Sequence, residues 1–173
     1  MPDRSLSTGR GPAIVIDLQQ QTLDWYGAGG EHQRWPVSTA LKGPGEAEQS
    51  GCTPRGEHYV RALIGKGQPE ATVFVARRPT GETWSAELSK QQPERDWILS
   101  RIIWLCGLET GFNRGPGVDT FRRYIYIHGT PDSEPMGEPR SHGCIRMRNR
   151  DVIDLFDRLT PGVPVTIQPH SKP

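Results

Sequence analysis

Residues 124–149 read YIYIHGTPDSEPMGEPRSHGCIRMRN, and they hold the densest chemistry in the 173-residue chain. The apolar run Tyr124–Ile127 ends in a histidine, the pattern of a short strand that delivers His128 at its tip. Gly129–Arg140 carries three prolines and two glycines and is expected to be a loop. Ser141, His142, Gly143 and Cys144 follow, then Ile145 and Arg146. A cysteine nucleophile works as its thiolate, and a free cysteine has a pKa of ~8.5, so an imidazole or a cation must assist it. His128, His142 and Arg146 lie close enough in sequence to do so. Gly143 allows a sharp backbone turn before Cys144, which could aim the N–H groups of Gly143 and Cys144 at a developing oxyanion. A histidine at a strand end, joined by a flexible loop to such a turn, fits a base–nucleophile pair. The bland readings go to the remaining candidates. Cys52 and Cys106 are taken as small buried apolar residues, and His32, His58 and His170 as surface or core residues.

Outward from this segment, strands dominate. Ala13–Asp17 is a short apolar strand, and Gln21–Tyr26 with Glu31–Val37 flank the hairpin turn Gly27–Gly30. Leu41–Cys52 has no periodicity and Thr53–Gly56 is a turn; strands are expected at His58–Ile64 and Thr72–Arg77. Asp96–Cys106 places apolar residues at 97, 98, 102, 104 and 105 after the cap-like Pro93–Asp96, which predicts an amphipathic helix. Gly107–Thr120, with four glycines and a proline, is a loop. Asn149 is expected to cap a helix over Arg150–Leu159 that stops at Thr160–Gly162, before a strand at Val163–Ile167. The organisation expected is a polar N-terminal arm (1–11), one domain (12–168) and a short tail (169–173).

Composition narrows the function. Twenty glycines and 16 prolines make about a fifth of the chain, against the ~12% usual for soluble domains, which disfavours a helical bundle. Twenty-one basic residues face 20 acidic ones, and from Arg114 to Arg158 eight arginines face seven acidic residues, so no field exists to hold nucleic acid. The longest apolar run, Ile102–Cys106, has five residues, far below the ~20 of a helical membrane span, so no membrane partner is expected. The opening MPDRSLSTGRGP shows neither an apolar h-region nor a small-residue cleavage site. With three widely spaced cysteines and no CxxC pair, the expected compartment is the cytoplasm. A chain already relieved of a leader would read the same and would be periplasmic.

The His128…Ser141-His142-Gly143-Cys144 pattern closely resembles the signature of the YkuD-type L,D-transpeptidases. Three further landmarks are similar: the opening hairpin Ile14–Tyr26, the strand Trp35–Thr39 and the turn Thr53–Gly56, so the resemblance spans about residues 13–150. It implies a mainly β, sandwich- or barrel-like domain with two or so inserted helices, acting on murein stem peptides and needing no metal or cofactor. On this resemblance Cys144 attacks the carbonyl of an L-configured centre, usually diaminopimelate, and expels D-alanine, with His128 as general base. His142 shapes the site, its backbone N–H near the oxyanion hole with those of Gly143 and Cys144. Arg146 holds a substrate carboxylate, Ser141 orients the turn, and Gly129 is placed on the substrate side. Members without export signals resemble L,D-carboxypeptidases, in which water takes the acyl group. That acceptor is favoured here, with cross-linking or D-amino-acid exchange as the alternative.

Two other classes compete. His128, His142 and Cys144 are legitimate zinc ligands, yet His142 and Cys144 lie only two residues apart and no CxxC or HExxH completes a set. A peptide-binding module with a dead site is opposed by an intact histidine and cysteine.

Overall fold

The computed structural model describes residues 11–171. Apart from Gly11, the expected N-terminal arm lies outside the described residues, as does the end of the tail. Ten strands form a single curled sheet. β1 (Ala13–Asp17), β2 (Thr22–Tyr26) and β3 (His32–Pro36) make an antiparallel meander. β4 (Gly56–Ile64) joins them through β10 (Pro164–Gln168), which runs parallel to β1. β7 (Ile98–Gly107) is the axis. Its one edge is shared by β4 and by β5 (Thr72–Val75), which continues to the edge strand β6 (Arg78–Thr83). The other edge takes β8 (Tyr126–Thr130), and β9 (Ile145–Arg148) then lies parallel to β8. The helices are α1 (Ala86–Gln91) and α2 (Asn149–Asp157).

Residue parity decides what each face of the central strands does. Ile103 and Leu105 of β7, Ile127 of β8, and Ile145 and Met147 of β9 are buried in the main core, where α2 adds Val152, Leu155 and Phe156. Fully burying such side chains contributes roughly 1.5–3 kcal/mol each. Successive strand residues point to opposite faces, so Ile102, Tyr126, His128, Cys144 and Arg146 turn the other way. There Ile102 and Tyr126 pack with Phe74, and Cys144 lies against that smaller cluster. One face of these strands holds the molecule together; the other carries the polar groups.

The expected helix at Asp96–Cys106 is a strand, β7. It is buried on both faces, so it carries no alternation, and its near-continuous apolar run imitates a helical stripe. A register shift between Leu99 and Ile102, with Ser100 at φ +70°, further breaks the two-residue period. The β-branched Ile98, Ile102 and Ile103 and the aromatic Trp104 suit a pleated surface. Asn149 is not the cap of α2. The cap position is Arg148, while the Asn149 side chain accepts from Ser100 Oγ at 2.6 Å and donates to Thr130 O at 3.1 Å. It ties α2 to β7 and β8 instead. β6, α1 and β9 have no counterpart in the expectations from sequence.

Candidate active site

Parallel pairing of β8 with β9 sets His128 opposite Arg146 and Ile127 opposite Ile145. The next position back brings Cys144 to Tyr126, and the Tyr126 N–H donates to Cys144 Sγ at 3.4 Å. His128 on β8 and Cys144 immediately before β9, sixteen apart in sequence, thus face the same cavity. His128, His142, Cys144, Ser141 and Arg146 all line one cavity of about 290 Å³, together with Arg77, Asp96, Arg123, Tyr124 and Tyr126.

The turn that presents Cys144 is tied down from within and from outside. Ser141 Oγ donates to Cys144 O at 2.5 Å and accepts the Gly143 N–H at 3.2 Å. Gly143 has φ +137°, and a Cβ there would sit 3.2 Å from Cys52 O, so a side chain would be both strained and crowded. Thr53 Oγ1 donates to the Gly143 carbonyl at 2.8 Å and itself accepts the Ala40 N–H at 3.0 Å. Thr53 is fully buried. The Thr53–Gly56 turn, a landmark only by resemblance, is therefore a physical brace for the cysteine turn.

His128 is buried, and its Nδ1 lies 2.6 Å from Gly129 O. A carbonyl can only accept, so Nδ1 carries the proton and Nε2 is left with a lone pair. Burial also holds its pKa below the ordinary imidazole value, outweighing the hydrogen bond to Gly129 and the nearby Asp96. The Cys144 thiol is pushed up to about 11 by burial, against smaller opposing effects of the Tyr126 N–H, Arg146 and Arg123. Both groups are therefore neutral at rest. The thiol donates to Tyr124 O at 3.4 Å, and no hydrogen bond joins it to His128 among the described residues.

Three expected roles meet a different geometry. Gly143 spends its N–H on Ser141, which leaves the amides of His142 and Cys144 as the unengaged donors of the turn among the described residues. Arg146 is not a free cation: Nη2 bonds Asp96 Oδ1 at 3.1 Å, and the arginine side chain is only 11% exposed. Gly129 makes room rather than contact, since a Cβ there would fall 2.5 Å from Asn149 Oδ1 and 2.6 Å from Leu99 O. His142 is exposed at the cavity rim. Cys106 is buried as expected, whereas Cys52 is only half-buried. His58 is buried on Thr120, and His32 and His170 are exposed. Arg77, Asp96, Arg123 and Tyr126 escape a reading by motif. Arg123 and Tyr126 sit beside and within the strand that was singled out, and parity along that strand would have found Tyr126.

Arg123 is spent on architecture. It donates to Cys52 O at 2.7 Å, to Glu46 O at 3.2 Å, to Gly45 O at 3.3 Å and to Ser50 Oγ at 3.3 Å. Its position pins the 45–52 loop behind Gly143.

A thiol and an imidazole delivered by adjacent parallel strands to one cleft define a cysteine–histidine site on a curled β sheet. The sequence profile of the L,D-transpeptidase catalytic domain (YkuD) matches residues 11–167, and the chain belongs to this family. It is 25% identical over 166 residues to a Fuscovulum blasticum protein named as an L,D-transpeptidase, covering 90% of this chain and 69% of that one. It is 42% identical over 48 residues to a Bacillus licheniformis protein named L,D-transpeptidase YkuD, covering 28% of this chain and 29% of that one. In fold it is similar to L,D-transpeptidase 3 of Mycobacterium tuberculosis, solved with a faropenem-derived adduct: TM-score 0.52, 18% identity, 91% of this chain and 61% of that chain. The chain spans under a third of the Bacillus relative's length in that match and about three fifths of the mycobacterial structure.

Proposed function

We propose that the protein is a cysteine-dependent acyl transferase on murein stem peptides, cleaving between an L-configured centre and a terminal D-alanine, with water as the main acceptor. The observation that carries this reading is the fixed tautomer of His128: a bond from Nδ1 to Gly129 O leaves Nε2 as a base in the cavity that holds Cys144.

The chemistry follows from two neutral partners. As Cys144 Sγ attacks the scissile carbonyl carbon, its proton passes to His128 Nε2, the C–S bond forms and the carbonyl oxygen becomes an oxyanion. The N–H groups of His142 and Cys144 are the donors available to that oxygen. Collapse breaks the C–N bond, and the imidazolium returns the proton to the leaving amine. A second cycle with water, deprotonated by the same Nε2, releases the shortened peptide and restores the thiol. An amine acceptor needs a second groove to orient it, an advantage worth several kcal/mol. Water needs only access to the acyl-enzyme and a base, and His128 Nε2 supplies the base for both half-reactions.

Incubating a disaccharide tetrapeptide with the protein and weighing the products tests both levels. Tripeptide plus free D-alanine is expected, with cross-linked dimer a minor product at high substrate. Dominant dimer or D-amino-acid exchange moves the assignment to transpeptidation. Cys144→Ala is expected to lose all turnover while staying folded, and His128→Ala to slow acylation more than His142→Ala. Full turnover in Cys144→Ala would sink the covalent mechanism.

A further inference from the structure

We propose that Arg77 is the anion receptor of the cleft and binds the C-terminal carboxylate of the peptide whose carbonyl is attacked by Cys144. This rests on the reading above for the identity of the peptide, but not for the receptor itself.

The arginines of the cavity are not equivalent. Arg123 spends both terminal nitrogens on three carbonyls and a hydroxyl, and Arg146 is paired with Asp96. Among the described residues, Arg77 makes one hydrogen bond, from Nη1 to Tyr126 Oη at 3.1 Å, and has no carboxylate partner. A guanidinium has five N–H groups, so most of its fork remains to be satisfied. Asp96 is the single carboxylate lining the cavity, and it is already engaged.

Arg77 is also held in advance of any ligand. Its guanidinium lies 5.0 Å from the ring centroid of Trp104 and 5.0 Å from that of Tyr124. Stacking on aromatic faces removes rotamer freedom without using the in-plane N–H groups that grip a carboxylate. The backbone contributes too. Ala76 and Arg77 form the two-residue turn between β5 and β6, with φ +47° and +64°. Asn-Gly and Asp-Gly are the residues this turn favours. Two ordinary side chains in succession there is a costly arrangement, and it puts an arginine at the hairpin tip over the cleft.

The reach suits a carboxylate near the reacting bond. Tyr126 links the two groups, its N–H on Cys144 Sγ and its hydroxyl on Arg77. The separation is thus about one tyrosine side chain plus two hydrogen bonds. That sum is an upper bound, and contact at the sulfur, one extended residue of about 3.3–3.6 Å and a hydrogen bond to the guanidinium span most of it. A leaving D-alanine with a free terminus places its carboxylate one residue beyond the scissile carbonyl. Bidentate capture there would favour a peptide that ends at this residue over one that is blocked or continues.

Two readouts test the proposal. In the first, kcat/KM is compared for the tetrapeptide acid and the same peptide ending in a primary amide. Wild type is expected to prefer the acid at least tenfold, Arg77→Met to show a preference within twofold, and Arg77→Lys to recover part of it. The second needs no turnover: alkylation of Cys144, followed by peptide mapping, with iodoacetate and with iodoacetamide. The ratio of the two rates cancels any change in thiolate fraction and is expected to fall at least threefold in Arg77→Met. An unchanged ratio, or equal use of acid and amide by wild type, overturns the receptor. If wild type turns over neither peptide but the ratio falls, the receptor stands and the murein substrate fails. Matching melting curves for both variants guard against a folding artefact.

Discussion

Cys144 and His128 illustrate how one environment sets two groups in opposite directions. Burial raises the thiol and lowers the imidazole, so neither carries charge at rest, and on the mechanism proposed above the proton moves only when a carbonyl is attacked. This differs from a cysteine stored as thiolate, and the difference is measurable. With the thiol pushed up to about 11, alkylation of Cys144 by iodoacetamide is expected to climb about tenfold per pH unit through neutrality and on toward pH 11. A plateau reached near pH 8.5 would show a solvated thiol instead. Turnover should behave differently, because the base is already competent once His128 has lost its second proton. Its rate is expected to rise with pH through a point below the usual imidazole value and then level off.

The elements around the site explain which features the sequence discloses. His128 and the Ser141–Cys144 turn are legible because they set rare residue types, histidine and cysteine, around a glycine in a short stretch. The hairpin of β2 and β3 is legible because glycines mark its turn. β7 is not, since a strand covered on both faces loses the alternation that distinguishes it, and the helical reading of Asp96–Cys106 is the result. β6 is hidden for the reverse reason: an exposed edge strand, its residues Arg78–Thr83 have no apolar face to reveal it. The partnership of Asp96 with Arg146 spans fifty residues and leaves no local trace. Neither does that of Thr53 with Gly143, which spans ninety. Thr53→Val, which keeps the shape and removes the hydroxyl, leaves a buried N–H and a buried carbonyl unpaired at roughly 1–3 kcal/mol each. Urea unfolding should show a loss of about 2–6 kcal/mol, accompanied by slower acylation because Gly143 is released. A variant with wild-type stability and activity would remove Thr53 from this role.

At the scale of the whole molecule, acid is the natural threat. His58 is fully buried between Gly56 O and Thr120 Oγ1, and burial lowers its pKa to about 4. His128 is lowered in the same sense. In the unfolded chain both take a proton near the ordinary value of ~6.5, so the unfolded state binds more protons as pH falls below that value. Full stability is thus present above pH ~6.5 and is lost progressively down to about 4, where the folded protein can also protonate His58. The His58 share is of order 3 kcal/mol across that window. Melting temperature should therefore drop steeply from pH 6.5 to 4, with a shallower drop in His58→Gln.

The parallel pairings carry a consequence for how the molecule comes into being. β1 finds its partner in β10, Ile14 beside Val165, and the backbone of Ser38 forms an antiparallel bridge with Arg146 of β9. Contacts at such sequence separation must close large loops before they return any binding energy, so folding falls in the slow, milliseconds-to-seconds regime of high contact order. On the ribosome, the meander of β1–β3 emerges ahead of β10 and waits, its inner edge unpaired, while the strands between them are made. Closure of the sheet waits for β10, and a chain stalled before it exposes a strand edge open to wrong partners.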